Sequence, residues 1–446
     1  MARKESDFLG SVSVPSEAHY GAFTVRATQN FQLSPHRAPP HFMKALLLVK
    51  KAAAQTNQKE GRLDAKKAVA ITEAANEALA GKFDDQFILD AFQAGAGTAY
   101  NMNANEVLAN RATELLGGKK GEYRVHPNND VNMGQSSNDV IPTATRLACL
   151  LSLPKLQKKA GAIASAFSKK AKSFSRIVKP ARTHLQDAVP MILGQEIASY
   201  ASAITRSQKR LKTAGEALAE IHLGGTAAGT GINTTPTYAK NVAANLSKLS
   251  GVPLHPTNDF VELTQNHNDF LYFANALSLL SVDMCRICAC LKLLSSGPKT
   301  GLGEIVLPDV EPGSSIMPGK VNPSVPEAAE MCGMHVLGAM RTVELCCVNT
   351  QLDLNTNTPL IAFELLTSMD LLANALGMLD EKCVRGITAN EKTLDRYVRE
   401  STIVATALNP VLGYSQVSKL VQESVKTNTP IREVVLRHRL LSEKEL

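Results

Sequence analysis

Near the C-terminal third the chain reads Gly313-Ser314-Ser315-Ile316-Met317-Pro318-Gly319-Lys320-Val321-Asn322-Pro323. Two glycines and two prolines in this run exclude a continuous helix or a central strand, so it must be a loop built from turns. Ser314, Ser315, Lys320 and Asn322 give that loop two hydroxyls, a cation and an amide. Together these groups could hold a carboxylate while one hydroxyl, once deprotonated, removes a proton beside it. A lone Gly-Ser-Ser would read as a surface turn; eleven residues of this kind read as a catalytic lid.

Three further constellations could serve the same chemistry. Gly95-Ala96-Gly97-Thr98 leads into Asn101, Asn103 and Asn105, and Thr98 with the nearby amides could bind a carboxylate at a helix start. The same asparagines could instead do no more than cap that helix, because three in five residues weaken its interior. Ser136-Ser137-Asn138 precede Pro142, a residue suited to a first helical turn, so free N–H groups and a positive dipole end gather where an anion would be welcome. A capping box explains one serine but not two hydroxyls and an amide in a row. Thr183 and His184 lie in a proline-flanked turn, from which a histidine could reach a site at the start of the following helix. Gly224 to Gly231 looks like a phosphate loop, but it lacks the Lys-Ser/Thr ending and follows a helical stretch, so it reads as a tight turn lining a site.

These loops need rods to position them. Apolar residues recur at helical spacing from Ala68 to Ala80, before Gly81. Pro190 to Leu223 reads as one long helix, Asp269 to Leu294 as a second, and Pro326 to Cys347 as a third that is apolar nearly all round. Helices apolar on every side must be covered on every side, and one chain offers few partners for three such rods. Packing against copies of itself is the natural solution. Strand signals are confined to short pieces such as Gly10 to Val14, so the fold is mainly α. Polar, turn-rich loops near Asn138 and Ala389-Asn390 divide the chain into segments 1–138, 139–390 and 391–446.

Composition sets outer limits. At 446 residues, 44% hydrophobic and 20% charged, the chain suits an ordinary globular protein of two or three domains. The net charge of +7 comes from Lys and Arg spread along the chain without interleaved aromatics, which argues against a nucleic-acid partner and for mild attraction of small anions. The N-terminus lacks a signal-peptide core and no stretch reads as long and apolar enough to span a bilayer, so a cytoplasmic protein with no membrane partner is expected. The eight cysteines read as reduced core residues. Cys285, Cys288 and Cys290 offer three ligands on one helix face with no matching histidine, short of the four that a structural zinc needs, so no metal is expected.

The 313–323 run resembles the signature loop of the aspartase/fumarase superfamily, whose members eliminate a group from C2 of a succinyl unit and release fumarate or a fumarate-like product. Matches run from Asp7-Phe8-Leu9-Gly10 to Ile431-Arg432-Glu433-Val434-Val435-Leu436. The resemblance implies a three-domain fold with a central long-helix bundle that packs in a homotetramer, and it implies no cofactor. By position in the family motifs, Ser314 would be the base, with Ser315, Lys320 and Asn322 on the substrate. Thr98, Ser136 and Ser137 would hold carboxylate, Asn138 would meet the leaving group, and Thr183 and His184 would contact substrate or a water, with His184 paired to Glu327.

Within the superfamily the segments Gly95 to Thr98, Leu185 to Pro190 and Thr264-Gln265-Asn266 look like aspartases, whereas Ser137 looks like fumarases. The implied activity is reversible deamination of L-aspartate to fumarate and ammonia. Hydration of fumarate to malate and a catalytically silent tetramer are the alternatives. The silent reading predicts loss of the loop serine or lysine, and both are present.

Overall fold

The computed structural model describes residues 2–445. Helices dominate it, and strands among the described residues are limited to four two-stranded sheets. The chain divides into two compact units, Met1–Gln157 with Lys209–Leu279 and His335–Leu372, and Lys158–Gln208 with Leu280–Met334 and Ala373–Leu446. Each boundary falls inside one of the five long helices Ser137–Ser173, Leu193–Ala217, Asn268–Leu294, Ser324–Val348 and Thr358–Lys382.

In the first unit, an antiparallel hairpin pairs Ala2–Asp7 with Gly10–Pro15. Helices Pro40–Lys59, Ala65–Leu79 and Thr98–Leu115 then build a core around Phe42, Leu46, Val49, Ile71, Ala75 and Leu108. The Ala65–Leu79 helix shows why such a segment forms: Asp64 accepts from the Lys66 and Lys67 amides as its cap, worth about 1 kcal/mol, while Ala68, Ile71, Ala75 and Ala78 bury one stripe. Gly81, at φ +88°, then turns the chain away.

Thr98–Leu115 differs from the expectation of a helix weakened by its asparagines. Asn101, Asn103 and Asn105 lie in its interior and are buried, with distant partners for their Nδ2 groups. Asn101 and Asn105 both donate to Asn132 Oδ1, at 3.0 and 3.2 Å, and Asn103 donates to the Gln86 carbonyl at 3.1 Å.

The helix expected over 190–223 begins at Leu193 and ends at Ala217. Residues 186–192 form a strand instead, paired with Val178–Thr183 in the second unit. The hairpin turns on two residues, His184 at φ +55° and Leu185 at φ +62°, whose mirror-image conformation matches the twist of the strands. The longest rod is Ser137–Ser173, 37 residues that continue through Pro142 and Pro154. The expected helices 269–294 and 326–347 form as Asn268–Leu294 and Ser324–Val348. The second unit also carries the C-terminal helices, whose small core gathers Val417, Leu420, Ile431, Val434 and Val435.

One expectation from the sequence needs correction. Ser324–Val348 and Thr358–Gly386 are long and apolar enough to cross a membrane by length and composition. A core helix of a bundle meets the same test, and most of the apolar stretch in Thr358–Gly386 is buried within the chain. Ser324–Val348 is less covered and leaves Met331, Met334, Leu345 and Val348 exposed.

Candidate active site

In the first unit a cavity of about 520 Å³ is lined by Thr98, Asn101, Asn132, Ser136, Ser137 and Thr226, among others. Thr98 and Ser137 are each the first residue of a helix, so the positive ends of Thr98–Leu115 and Ser137–Ser173 meet at one space. Arg62 adds a fixed cation to the wall, its guanidinium donating to the Asn233 carbonyl at 2.6 Å. A small dianion fits this setting.

The turn into the first helix explains the pose of Thr98. Gly95, Ala96 and Gly97 all take positive φ, and the Thr98 hydroxyl donates to the Gly95 carbonyl at 2.6 Å. With its proton spent on that carbonyl, Thr98 offers the cavity only oxygen lone pairs. Asn138 is partly committed as well, because its Nδ2 spends one of its two protons on the Ala227 carbonyl at 2.7 Å.

Behind the wall lies a buried polar network that sequence reasoning missed. Lys50, fully buried, donates to Asn132 Oδ1 at 3.0 Å and Gln135 Oε1 at 2.9 Å, and burial pulls its ammonium down to about 7. Asp139, also fully buried, accepts from the amides of Ser136, Gly224 and Thr226 at 2.9, 2.9 and 3.0 Å. Burial outweighs those three donors and pushes its carboxyl up to about 6. Pro142 leaves its mark here as well. A proline has no N–H for the carbonyl four residues back, so the Asn138 carbonyl is free to accept from His222 Nε2 at 3.0 Å. The imidazole of His222 is fully buried, which holds it down at about 4. The sequence did carry one signal for this network: Lys50 occupies an apolar-face position, in step with Leu46, Leu47 and Ala53.

The second unit carries the remaining candidates. The 313–322 loop is closed at its base by Gly313 N–H to the Lys320 carbonyl at 2.8 Å and Asn322 Nδ2 to the Gly313 carbonyl at 2.7 Å. Asn322 thus spends one amide proton on the loop itself. Ser314 Oγ accepts from the Ile316 and Met317 amides at 3.2 and 3.0 Å, an arrangement that favours negative charge on that oxygen. Ser315 and Lys320 are exposed, Lys320 forms no ion pair among the described residues, and Ile316 is 83% exposed.

Thr183 and His184 stand exposed at the hairpin tip. The hairpin base is anchored by a buried cluster in which Lys179 lies 2.5 Å from Glu196 and 2.6 Å from Glu304, with Arg182 also bonded to Glu304. Glu327 is exposed on the first turn of Ser324–Val348, and within one chain it forms no ion pair with His184. The structure therefore brings Thr98, Ser136 and Ser137 to one cavity with Asn138 beside them in sequence, and Ser314, Ser315, Lys320 and Asn322 to one loop.

Comparison with known proteins bears on the family of the chain. A family model described as lyase matches residues 10–338, and one described as fumarase C C-terminus matches 404–446. An aspartate ammonia-lyase of a Bacillus species is 43% identical over 445 residues, covering all of this chain and 95% of that protein. The chain belongs to the aspartase/fumarase superfamily. A class II fumarate hydratase of Chromobacterium violaceum is 42% identical over 436 residues, covering 97% of this chain and 95% of the relative. The solved structure titled fumarate lyase:delta crystallin from Brucella melitensis superposes with a TM-score of 0.96 at 43% identity, covering 98% of this chain and 96% of that one. This superfamily member is a lyase with the mainly helical three-domain fold that its sequence led us to expect.

Proposed function

We propose that this lyase reversibly deaminates L-aspartate to fumarate and ammonia. The observation that carries the reading is the commitment of protons around the leaving group. Thr98 has given its proton to the Gly95 carbonyl, which leaves its oxygen as an acceptor, and Asn138 has one of its two amide protons engaged by the Ala227 carbonyl. An ammonium has three N–H bonds to satisfy and no lone pair, which suits acceptors better than a hydroxyl does. The names of relatives 41–45% identical over the full length support the same choice.

In this reading Ser314, as its alkoxide, takes the C3 proton, and the electrons move into the neighbouring carboxylate as an enediolate. The hydroxyls of Ser136 and Ser137 and two helix N-termini stabilise that charge at about 3 kcal/mol per well-placed donor. The C–N bond then breaks and ammonia leaves beside Thr98 and Asn138. Lys320, Asn322 and Ser315 hold the other carboxylate, and Thr183 and His184, with Glu327 as partner, complete the wall. Proton transfer and charge stabilisation are both assigned to side chains, so the reading calls for no cofactor.

The reading includes a homotetramer of the segments 1–138, 139–390 and 391–446, in the cytoplasm, with a small dicarboxylate and ammonia as its only partners. The row Met331, Met334, Leu345 and Val348 supplies an apolar face for other copies, and each site draws its polar loops from more than one chain. The second reading, hydration of fumarate to malate, rests on Ser137 and on the Chromobacterium relative. Purified protein given fumarate with ammonium should form aspartate. Faster formation of malate from fumarate alone would reverse the order of the two readings.

A further inference from the structure

The loop from Gly224 to Gly231 contributes Thr226 and Ala227 to the wall of the cavity that holds Ser136 and Ser137. It belongs to no regular element, and positive φ at Gly224, Thr226, Gly229 and Gly231 folds it back on itself. Its position must be fixed from outside, and Asp139 does so. One carboxylate oxygen accepts from the Gly224 and Thr226 amides, and the other accepts from the amide of Ser136 at the start of the Ser137–Ser173 helix. No substrate contact is left for this side chain, which is fully buried.

We infer that Asp139 is a positioning residue for the reaction proposed above: its carboxylate fastens the 224–231 loop to the first turn of the Ser137–Ser173 helix. It thereby fixes the Ala227 carbonyl that holds the Asn138 side-chain amide. The role rests on the lyase reading for its chemistry, but the clamp itself is a matter of bonds. Without the clamp, Ala227 and Thr226 lose their register with Ser136, and a bound dicarboxylate meets its donors at the wrong distances.

A competing effect has the opposite sign. A buried carboxylate close to an anion cavity repels the ligand, and of the charged and titratable groups around it, Lys50 from Pro40–Lys59 opposes that repulsion while Tyr238 from Tyr238–Ser250 also faces it. Asp139→Asn separates the two effects. It keeps the size, removes the charge, and sets an NH2 group against either the Ser136 amide or the Gly224 and Thr226 amides, so one attachment is lost.

The clamp predicts that Asp139→Asn raises the KM for aspartate and the dissociation constant for succinate about tenfold or more, with kcat changed far less. Amide exchange at Gly224 and Thr226, or at Ser136, should accelerate in the variant. In the unliganded wild type all three should exchange slowly. Succinate binding that is unchanged or tighter in Asp139→Asn would overturn the inference, as would a lowered melting temperature with unaltered KM. Should the variant fail to fold, fast exchange at these amides in the wild type would overturn it equally. A wild type that binds succinate but does not interconvert aspartate and fumarate would sink the lyase reading and leave the clamp standing.

Discussion

The cavity around Ser136 and the loop around Ser314 carry similar side chains in opposite settings. Around Ser136, helix ends, Asp139 and the Gly224–Gly231 turn are bonded to one another, and the supporting groups Lys50, Asp139 and His222 are buried. Around Ser314, the loop is held at its base by two bonds, and Ile316, Lys320 and Ser315 face water. The first is built to bind with little rearrangement. In the proposed reaction the second would be the mobile part, excluding water and delivering the base. On that proposal, separating binding from base delivery would let a hydroxyl act as a base only when substrate is in place.

The largest expected effect tests that division of labour. Ser314→Ala should cut kcat by about 10³-fold while leaving succinate affinity and the melting temperature nearly unchanged, since a half-buried loop hydroxyl contributes little to packing. Mixed oligomers of Ser314→Ala with Thr98→Ala subunits should regain activity if sites are shared between chains. Near-normal turnover by Ser314→Ala would remove the base from the loop altogether.

Two glycines sharpen the contrast in stability. Both Gly229 and Gly319 take positive φ, +82° and +77°. A Cβ on Gly229 would lie 2.5 Å from the Phe260 carbonyl carbon, whereas one on Gly319 would meet nothing within 4 Å. Gly319→Ala should therefore cost only the left-handed strain, about 1–2 kcal/mol, and Gly229→Ala should cost about 3 kcal/mol or more. Thermal melts of both variants would show it, and equal losses would mean that the cavity loop yields as easily as the lid.

The smallest effect is one of pH. Burial holds His222 at about 4 and His267 at about 3, both below the ordinary value. As pH falls through 6.5 the unfolded chain takes up these protons and the native chain does not. The stability they contribute is complete above 6.5 and is lost progressively toward pH 3. Asp139, raised to about 6, works against this: its native form is protonated first, between about 6 and 3.8, and offsets part of the loss. Melting temperature should thus fall with acid less steeply in His222→Gln than in the wild type. Parallel slopes would show that His222 does not carry the effect.

How much of this was legible in the sequence depended on how local the cause was. Asn268–Leu294 and Ser324–Val348 announce themselves because unbroken apolar periodicity is a property of the segment alone. The Gly313–Asn322 loop does so because glycine and proline act on their own backbone. Residues 190–192, the end of the strand 186–192, were read as helix because the strand's pairing depends on left-handed turns at His184 and Leu185, residues that do not advertise them. Asn101 and Asn105 were read as candidate helix caps because the partner that lets them stay inside a helix, Asn132, lies about 30 residues on. Lys50 and Asp139 escaped for the same reason: nothing near them in sequence reveals what they hold.

Pro142 has a consequence in time. By freeing the Asn138 carbonyl, it leaves the start of the longest helix with an acceptor that no neighbour in the helix can fill. Its donor, His222, and the Gly224 and Thr226 amides that engage Asp139 come more than eighty residues later. A chain emerging from the ribosome can wind the Ser137–Ser173 helix at once, yet it cannot finish the end of that helix until the 222–227 segment has been made. The anion cavity is therefore a late product of synthesis, and a fragment truncated before His222 should be helical without being able to bind.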